Sequence, residues 1–238
     1  MNQLSKLRYT LQAFFVLAVV TTNVAATCCA SQAAKDNCNF GSGGRCYWDD
    51  GACTCRCAGS PIIIDVDGNG YQLTSLRNGV YFDLDADGHV GHLAWTAAGS
   101  TNAFLTLDRN GNGFIDDGTE LFGNFTPQPQ SDHPNGFIAL AEYDKPENGG
   151  NGDGVIDARD AIFAQLRLWQ DVNHNAFSEP GELSKLAAKG IHRISLDYHV
   201  FHRRDSFGNI FRYGARVNIG VVNSTAGRWA YDVFFVHD

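Results

Sequence analysis

The sequence predicts an α+β fold: acidic Asp/Asn/Gly loops flanked by short strands and helices, a small antiparallel sheet after them, and a disulfide-rich segment before them. Three observations predict it. Units of the form D-x-[DN]-x-[DN]-G recur between residues 61 and 190, a stretch with 19 Asp or Glu against 7 Lys or Arg. After Gly190 the hydrophobic period switches to two, the spacing of strands. All seven cysteines fall between Cys28 and Cys57. The chain divides accordingly into residues 1–26, 27–59, 60–190 and 191–238.

Residues 1–26 read as a secretory signal. Lys6 and Arg8 form a basic start, residues 13–20 are an uninterrupted apolar run, and Val24-Ala25-Ala26 offers small residues for cleavage. Eight apolar residues are too few to span a bilayer, which needs about 20. Without this segment the net charge moves from −8 to −10, because it carries two bases and no acid. That balance argues against nucleic acid or an anionic membrane surface as partner.

Cys28, Cys29, Cys38, Cys46, Cys53, Cys55 and Cys57 suit a small disulfide knot in an exported chain, since so short a segment cannot bury a core. Seven is odd, so one thiol is left over or pairs with another chain. Zinc held by Cys53-Thr-Cys-Arg-Cys57 is the rival, without the C-x2-C clip of zinc knuckles. Residues 58–61 make a natural linker.

The best-formed acidic unit is 171–182. Counting from Asp171, oxygen-bearing side chains fall at positions 1, 3 and 5 (Asp171, Asn173, Asn175), at 9 (Glu179) and at 12 (Glu182). That is EF-hand ligand spacing, in which alternate residues of a tight loop point at one hard cation. Position 6 is Ala176 instead of Gly, at a cost of roughly 1 kcal/mol. Residues 158–170, with Ile162, Phe163, Leu166 and Trp169 at helical spacing, predict the helix before it. Residues 180–189, with Pro180 at the start and Gly190 past the end, predict the helix after it.

Four more units precede this one. The first holds Asp65, Asp67 and Asn69 after the apolar run 62–64. The second holds Asp83, Asp85 and Asp87 after 80–82. Both lack an acid at position 12, where Leu76 and Ala94 stand. The third holds Asp108, Asn110, Asn112 and Asp116 after 103–107, with Glu120 one place late at position 13. The fourth holds Asn151, Asp153, Asp157 and Asp160. Its first ligand is displaced across an insertion, leaving Asn148 or Asp144 as substitutes. Ordinary Asx/Gly turns are the plain alternative. Five units so close together, however, set carboxylates about 4 Å apart, where they repel by about 4 kcal/mol at an effective dielectric of 20. A divalent ion offsets this; Ca2+ fits better than Mg2+, which prefers a small octahedral shell with waters.

The apolar runs before the first three units read as strands. Residues 135–143 predict a helix with Phe137, Leu140 and Ala141 inward, and 125–134 a Pro-rich surface loop. Residues 191–198, 209–217 and 228–236 predict three strands with Phe211, Tyr213, Trp229 and Phe234 buried, and 205–208 the first turn. His199, His202, Arg203 and Arg204 read as an exposed hairpin end, with a metal or phosphate site as the alternative.

Several of these runs together carry a family resemblance: Pro61-Ile-Ile-Ile-Asp-Val-Asp-Gly-Asn-Gly, Val80-Tyr-Phe-Asp-Leu-Asp-Ala-Asp-Gly, Leu107-Asp-Arg-Asn-Gly-Asn-Gly with Glu120-Leu-Phe-Gly-Asn, and Leu166-Arg-Leu-Trp-Gln-Asp with Gly181-Glu-Leu. From Pro61 to about Leu196 the chain resembles a calcium-binding module of bacterial RTX (repeats-in-toxin) and iron-regulated secreted proteins. The resemblance implies calcium-dependent folding. Some members are self-processing and cut an Asp-Pro bond at the module's N-terminal edge. Here that edge reads Ser60-Pro61 and the chain contains no Asp-Pro, so the nucleophile of that reaction is missing.

The sequence therefore predicts a secreted (extracellular or periplasmic) calcium-ion-binding protein whose ions are mainly structural. No nucleophile elbow, phosphate-cradling loop or H-E-x-x-H helix is present, so an enzyme is not expected. A self-processing or hydrolytic enzyme and an extracellular adhesion or docking module remain the alternatives. Calcium ions are the expected partners, with no nucleic acid and no membrane after signal removal; no motif specifies a protein or cell-surface partner.

Overall fold

The computed structural model describes residues 47–49, 54–56, 59–218 and 228–238. The expected signal segment and Cys28, Cys29, Cys38, Cys46, Cys53 and Cys57 lie outside the described residues, as does the side chain of Cys55. In chain order the strands are β1 (Tyr47–Asp49), β2 (Thr54–Arg56), β3 (Ile62–Asp65), β4 (Val80–Phe82), β5 (Gly91–Leu93) and β6 (Asn102–Thr106). The helix α1 (Gly136–Ala141) follows. Then come β7 (Val155–Asp157), β8 (Arg167–Trp169), β9 (Leu183–Lys185), β10 (Arg193–Ser195), β11 (His199–Arg204), β12 (Ile210–Arg216) and β13 (Trp229–Phe234).

Seven strands form one antiparallel sheet in the order β11-β12-β13-β3-β6-β8-β9. The apolar run of β3 lies at its middle, where both faces are covered, as an uninterrupted hydrophobic strand requires. Alternation sorts the side chains into two cores. Ile62 and Ile64 join Ala103, Leu105, Leu168 and Ala215 on one face, beneath α1 and the β7–β10 ribbon. Ile63 joins Phe104, Trp169, Phe211 and Val233 on the other, beneath the β4–β5 ribbon and Trp95. Each fully buried Ile stabilises the fold by roughly 1.5–3 kcal/mol. A bulge between Phe211 and Tyr213 turns β12 over, so these neighbours-but-one serve opposite cores.

The α+β expectation is overturned: among the described residues the protein is mostly β, and α1 is the one α-helix. The expected helix over 158–170 is a 3₁₀ turn at Ala161–Ala164 followed by β8. Leu166 and Trp169 are spaced for either structure locally. Pairing with β6 decides, because it places Leu168 in one core and Trp169 in the other. The expected helix over 180–189 is β9 followed by a 3₁₀ turn, Leu186–Lys189, that closes on Gly190 at φ +69°. Because β9 pairs directly with β8, the loop between them joins two strands of a hairpin and not two helices. The small C-terminal sheet is also overturned: β12 and β13 continue the main sheet through β3, and β10 leaves to pair with β7. His199, His202, Arg203 and Arg204 lie on the exposed strand β11, the outer arm of a hairpin with β12 whose turn is 205–208.

The helix expected over 135–143 is present as α1. Asn135 caps it, its side chain accepting from the N–H groups of Phe137 and Ile138. Phe211 and Tyr213 are buried, whereas Trp229 and Phe234 are half-buried. Among the described residues no helix is long and apolar enough to cross a membrane.

Candidate metal centre

All five acidic loops share one backbone. Positions 4 and 6 are left-handed in each: residues 68 and 70, 86 and 88, 111 and 113, 152 and 154, 174 and 176, with φ between +56° and +101°. Most of these positions are glycine. Ala86, His174 and Ala176 take the same conformation with a side chain, a strain of about 1–2 kcal/mol each.

An aspartate holds each loop's first turn. Asp65 accepts from the N–H groups of Gly68, Asn69 and Gly70; Asp83 from Asp87 and Gly88; Asp108 from Gly111 and Gly113; Asp171 from Asn175 and Ala176. In the fourth loop Asp144 does this, accepting from Gly152, Asp153 and Gly154 across the insertion. Asn148, the other substitute, turns away and donates to the Glu142 carbonyl.

Three loops are closed by a returning acid. Glu182 accepts from Val172 N–H at 2.8 Å and from the Trp169 indole N–H at 3.2 Å. Asp160 accepts from the N–H groups of Asn151 and Asp157. Glu120, despite falling one residue late, accepts from Arg109 N–H at 2.8 Å and Asp116 N–H at 3.0 Å. Inside the third loop, Asn110 and Asn112 donate to Asp116; inside the fifth, Asn173 and Asn175 donate to Glu179. In the fourth, Asp153 and Asp157 are bridged by Arg159, and Asn151 donates to Asp153.

The first two loops have no closing acid of their own. In the first, Asp67 is exposed and Asn69 donates to Thr101. In the second, Asp83, Asp85 and Asp87 have carboxylate oxygens all within 4.8 Å of one another. Burial and then the charges of Asp87 and Asp83 raise the carboxyl of Asp85 above its ordinary range. Burial likewise raises Glu120 and Glu182, the latter with its neighbour Glu179 adding to the effect. Burial favours the protonated form of these acids, and a cation beside them would favour the charged form.

The donor set suits calcium. Every candidate ligand atom is oxygen, the preference of a hard divalent cation. In the fifth loop Glu179 Oε2 is buried with no hydrogen-bond donor, a carboxylate oxygen that an ion would satisfy. Asp171, Asn173, Asn175, Glu179 and Glu182 would hold that ion, and the corresponding residues of the third loop a second.

Some residues of the site carry no local sequence signal. Trp95, far off in sequence, donates its indole N–H to Asp171 Oδ2 at 2.8 Å. With the Trp169 bond to Glu182, both the first and the last acid of the fifth loop are anchored on buried tryptophans. Ser178, fully buried, accepts from Ile115 N–H at 2.6 Å and so ties the fifth loop to the third. Beside it the rings of Phe114 and Phe177 lie 5.2 Å apart. His174 places its two ring nitrogens against the Thr96 and Asn78 carbonyls.

The SPM domain family matches residues 62–235. Residues of the chain are 36% identical, over 152 positions, to iron-regulated protein FrpA of Neisseria meningitidis serogroup C. That match covers 63% of this chain and 13% of the much longer relative. The relation to an iron-regulated protein agrees with the resemblance drawn from the acidic motifs. The chain belongs to the SPM-domain family.

Proposed function

We propose that this is a secreted calcium-binding module in which the ions are structural, drawing the acidic loops closed and completing the fold in a calcium-rich extracellular or periplasmic setting. One observation carries the reading. In the third, fourth and fifth loops an acid returns from the far end to bond the backbone near the loop's start, so oxygen donors from both ends converge. The proposed role is folding; Ser60-Pro61 offers no aspartyl nucleophile for Asp-Pro cleavage where the chain enters the sheet. Extracellular calcium modules work at about 10⁻⁴–10⁻³ M. A site with a Kd of about 0.1 mM contributes roughly 1.4 kcal/mol at 1 mM calcium.

Calorimetric titration with Ca2+, paired with thermal melting in calcium and in chelator, tests the proposal. We expect bound calcium and a melting temperature several degrees higher with it, by about 2–4 °C per kcal/mol for a chain this long. The fifth loop should also change tryptophan fluorescence, through Trp95 and Trp169, and Asp171→Asn should abolish that change. A melting temperature indifferent to chelator refutes the proposal.

A further inference from the structure

The fourth loop differs from the third and fifth in holding a cation of its own. Arg159, at position 11, turns its guanidinium back into the loop. Its Nε donates to Asp157 Oδ1 at 2.9 Å and its Nη2 to Asp157 Oδ2 at 2.6 Å, a two-pronged fork. The same Nη2 contacts Asp153 Oδ2. Arg193 approaches Asp157 from β10 at 3.4 Å. The carboxylates at positions 5 and 9 of this loop are therefore already paired with a positive charge.

Neither of the other closed loops has this arrangement. The segment 171–182 contains no Lys or Arg. The third loop contains Arg109, but its guanidinium points out of the loop, donating to the Thr119 carbonyl and the Tyr143 hydroxyl and lying 5.5 Å from the Phe122 ring centre.

We propose that Arg159 is the resident counter-cation of the fourth loop: it closes this loop without metal and keeps calcium out until its guanidinium is displaced. The inference rests on the calcium reading above and says which loops load. A guanidinium and a calcium ion compete for the same oxygens of Asp153 and Asp157, and the tethered group is present at high effective concentration. The third and fifth loops, whose ligand acids meet neutral donors (side-chain amides, backbone N–H groups and, in the fifth, two tryptophan indoles), should fill first.

The test counts ions on the full chain by calorimetry and by metal analysis after dialysis. Arg159→Gln should bind one more calcium than wild type, and adding Asp160→Asn should remove that extra ion. In wild type, Asp160→Asn should leave the count unchanged. In chelator Arg159→Gln should melt roughly 2–4 °C lower, the shift that loss of one interaction of ordinary strength gives at this length, and Arg159→Lys should fall between. An unchanged ion count in Arg159→Gln, an ion lost from wild type on Asp160→Asn, or an unaltered melting temperature in chelator each overturns the inference. A wild type that takes up no calcium at all would instead refute the proposed function, and the melting comparison in chelator would still decide the role of Arg159.

Discussion

Asp232→Asn should stabilise the protein at neutral pH and remove part of its pH dependence. Asp232 is fully buried in β13, between Tyr213 of β12 and Ile62 of β3. One carboxyl oxygen accepts from Gly136 N–H, and the Ser60 hydroxyl lies beside the group. Burial raises the group from 3.8 to about 6, against smaller lowering effects from the Gly136 N–H, the Ser60 hydroxyl and the Arg212 charge. A folded value above the unfolded one means that the fold favours the protonated form. The contribution is fully present below about pH 4 and is lost as the pH rises through about 6. A gap of about two pH units at about 1.4 kcal/mol each leaves the neutral-pH fold about 3 kcal/mol less stable than with a neutral group there. Asparagine keeps an acceptor for Gly136 and never ionises. Urea unfolding of both proteins between pH 4 and 8 measures the difference. Other acids titrate in both chains and cancel in the comparison. We expect the variant's advantage to grow by roughly 2–3 kcal/mol from pH 4 to pH 8. Parallel curves would show that the buried carboxyl is not the titrating group, and the reasoning would fail.

Two further substitutions probe the loops. Ala176→Gly should relieve the left-handed strain at position 6 (φ +56°). The gain should be about 1 kcal/mol, seen as a higher melting temperature in chelator and tighter calcium binding. Ser178→Ala leaves the Ile115 N–H without its acceptor in a buried setting. It should cost about 1–3 kcal/mol, read as a lower urea midpoint, whereas Ser178→Thr should retain most of the stability.

How legible the molecule is from its sequence depends on how far apart the deciding residues lie. The strands at 62–64, 80–82 and 103–107 were readable because an apolar run bounded by Asp and Gly has one local meaning, and the structure has β3, β4 and β6 there. The helix α1 was readable from Asn135 and its apolar face. The two helices expected around the fifth loop failed for a different reason. Ile162, Phe163, Leu166 and Trp169 satisfy a helical period, yet Leu168 and Trp169 are committed to opposite cores by pairing with β6, which lies some sixty residues earlier. Resemblance to EF-hand spacing supplied helices that the spacing itself does not require. The acidic loops were legible from their spacing, but the choice between Asn148 and Asp144 in the fourth was not, and only the backbone bonds to Asp144 decide it. Their supports were not: Trp95 meets Asp171, and Ser178 meets Ile115, only through the fold.

The loss of the flanking helices changes what an ion in the fifth loop can do. In a helix–loop–helix the ion sets an angle between two rods that can move. Here the loop joins β8 to β9, and the register of those strands, Trp169 opposite Leu183, is already fixed by the sheet. An ion bridging Asp171 and Glu182 therefore has little freedom to open or close anything. Its binding energy would go instead into holding β9, the far edge of the sheet, against β8, and into steadying Trp95 and Trp169 in the core beneath. An edge strand of three residues, Leu183–Lys185, with none of them fully buried, has little else to keep it in place. This geometry favours calcium as a clasp on the fold over calcium as a switch. It also locates the first part to loosen in chelator: hydrogen exchange should accelerate in 183–189 before it does in β3 or β6, and uniform acceleration across the sheet would argue against a clasp.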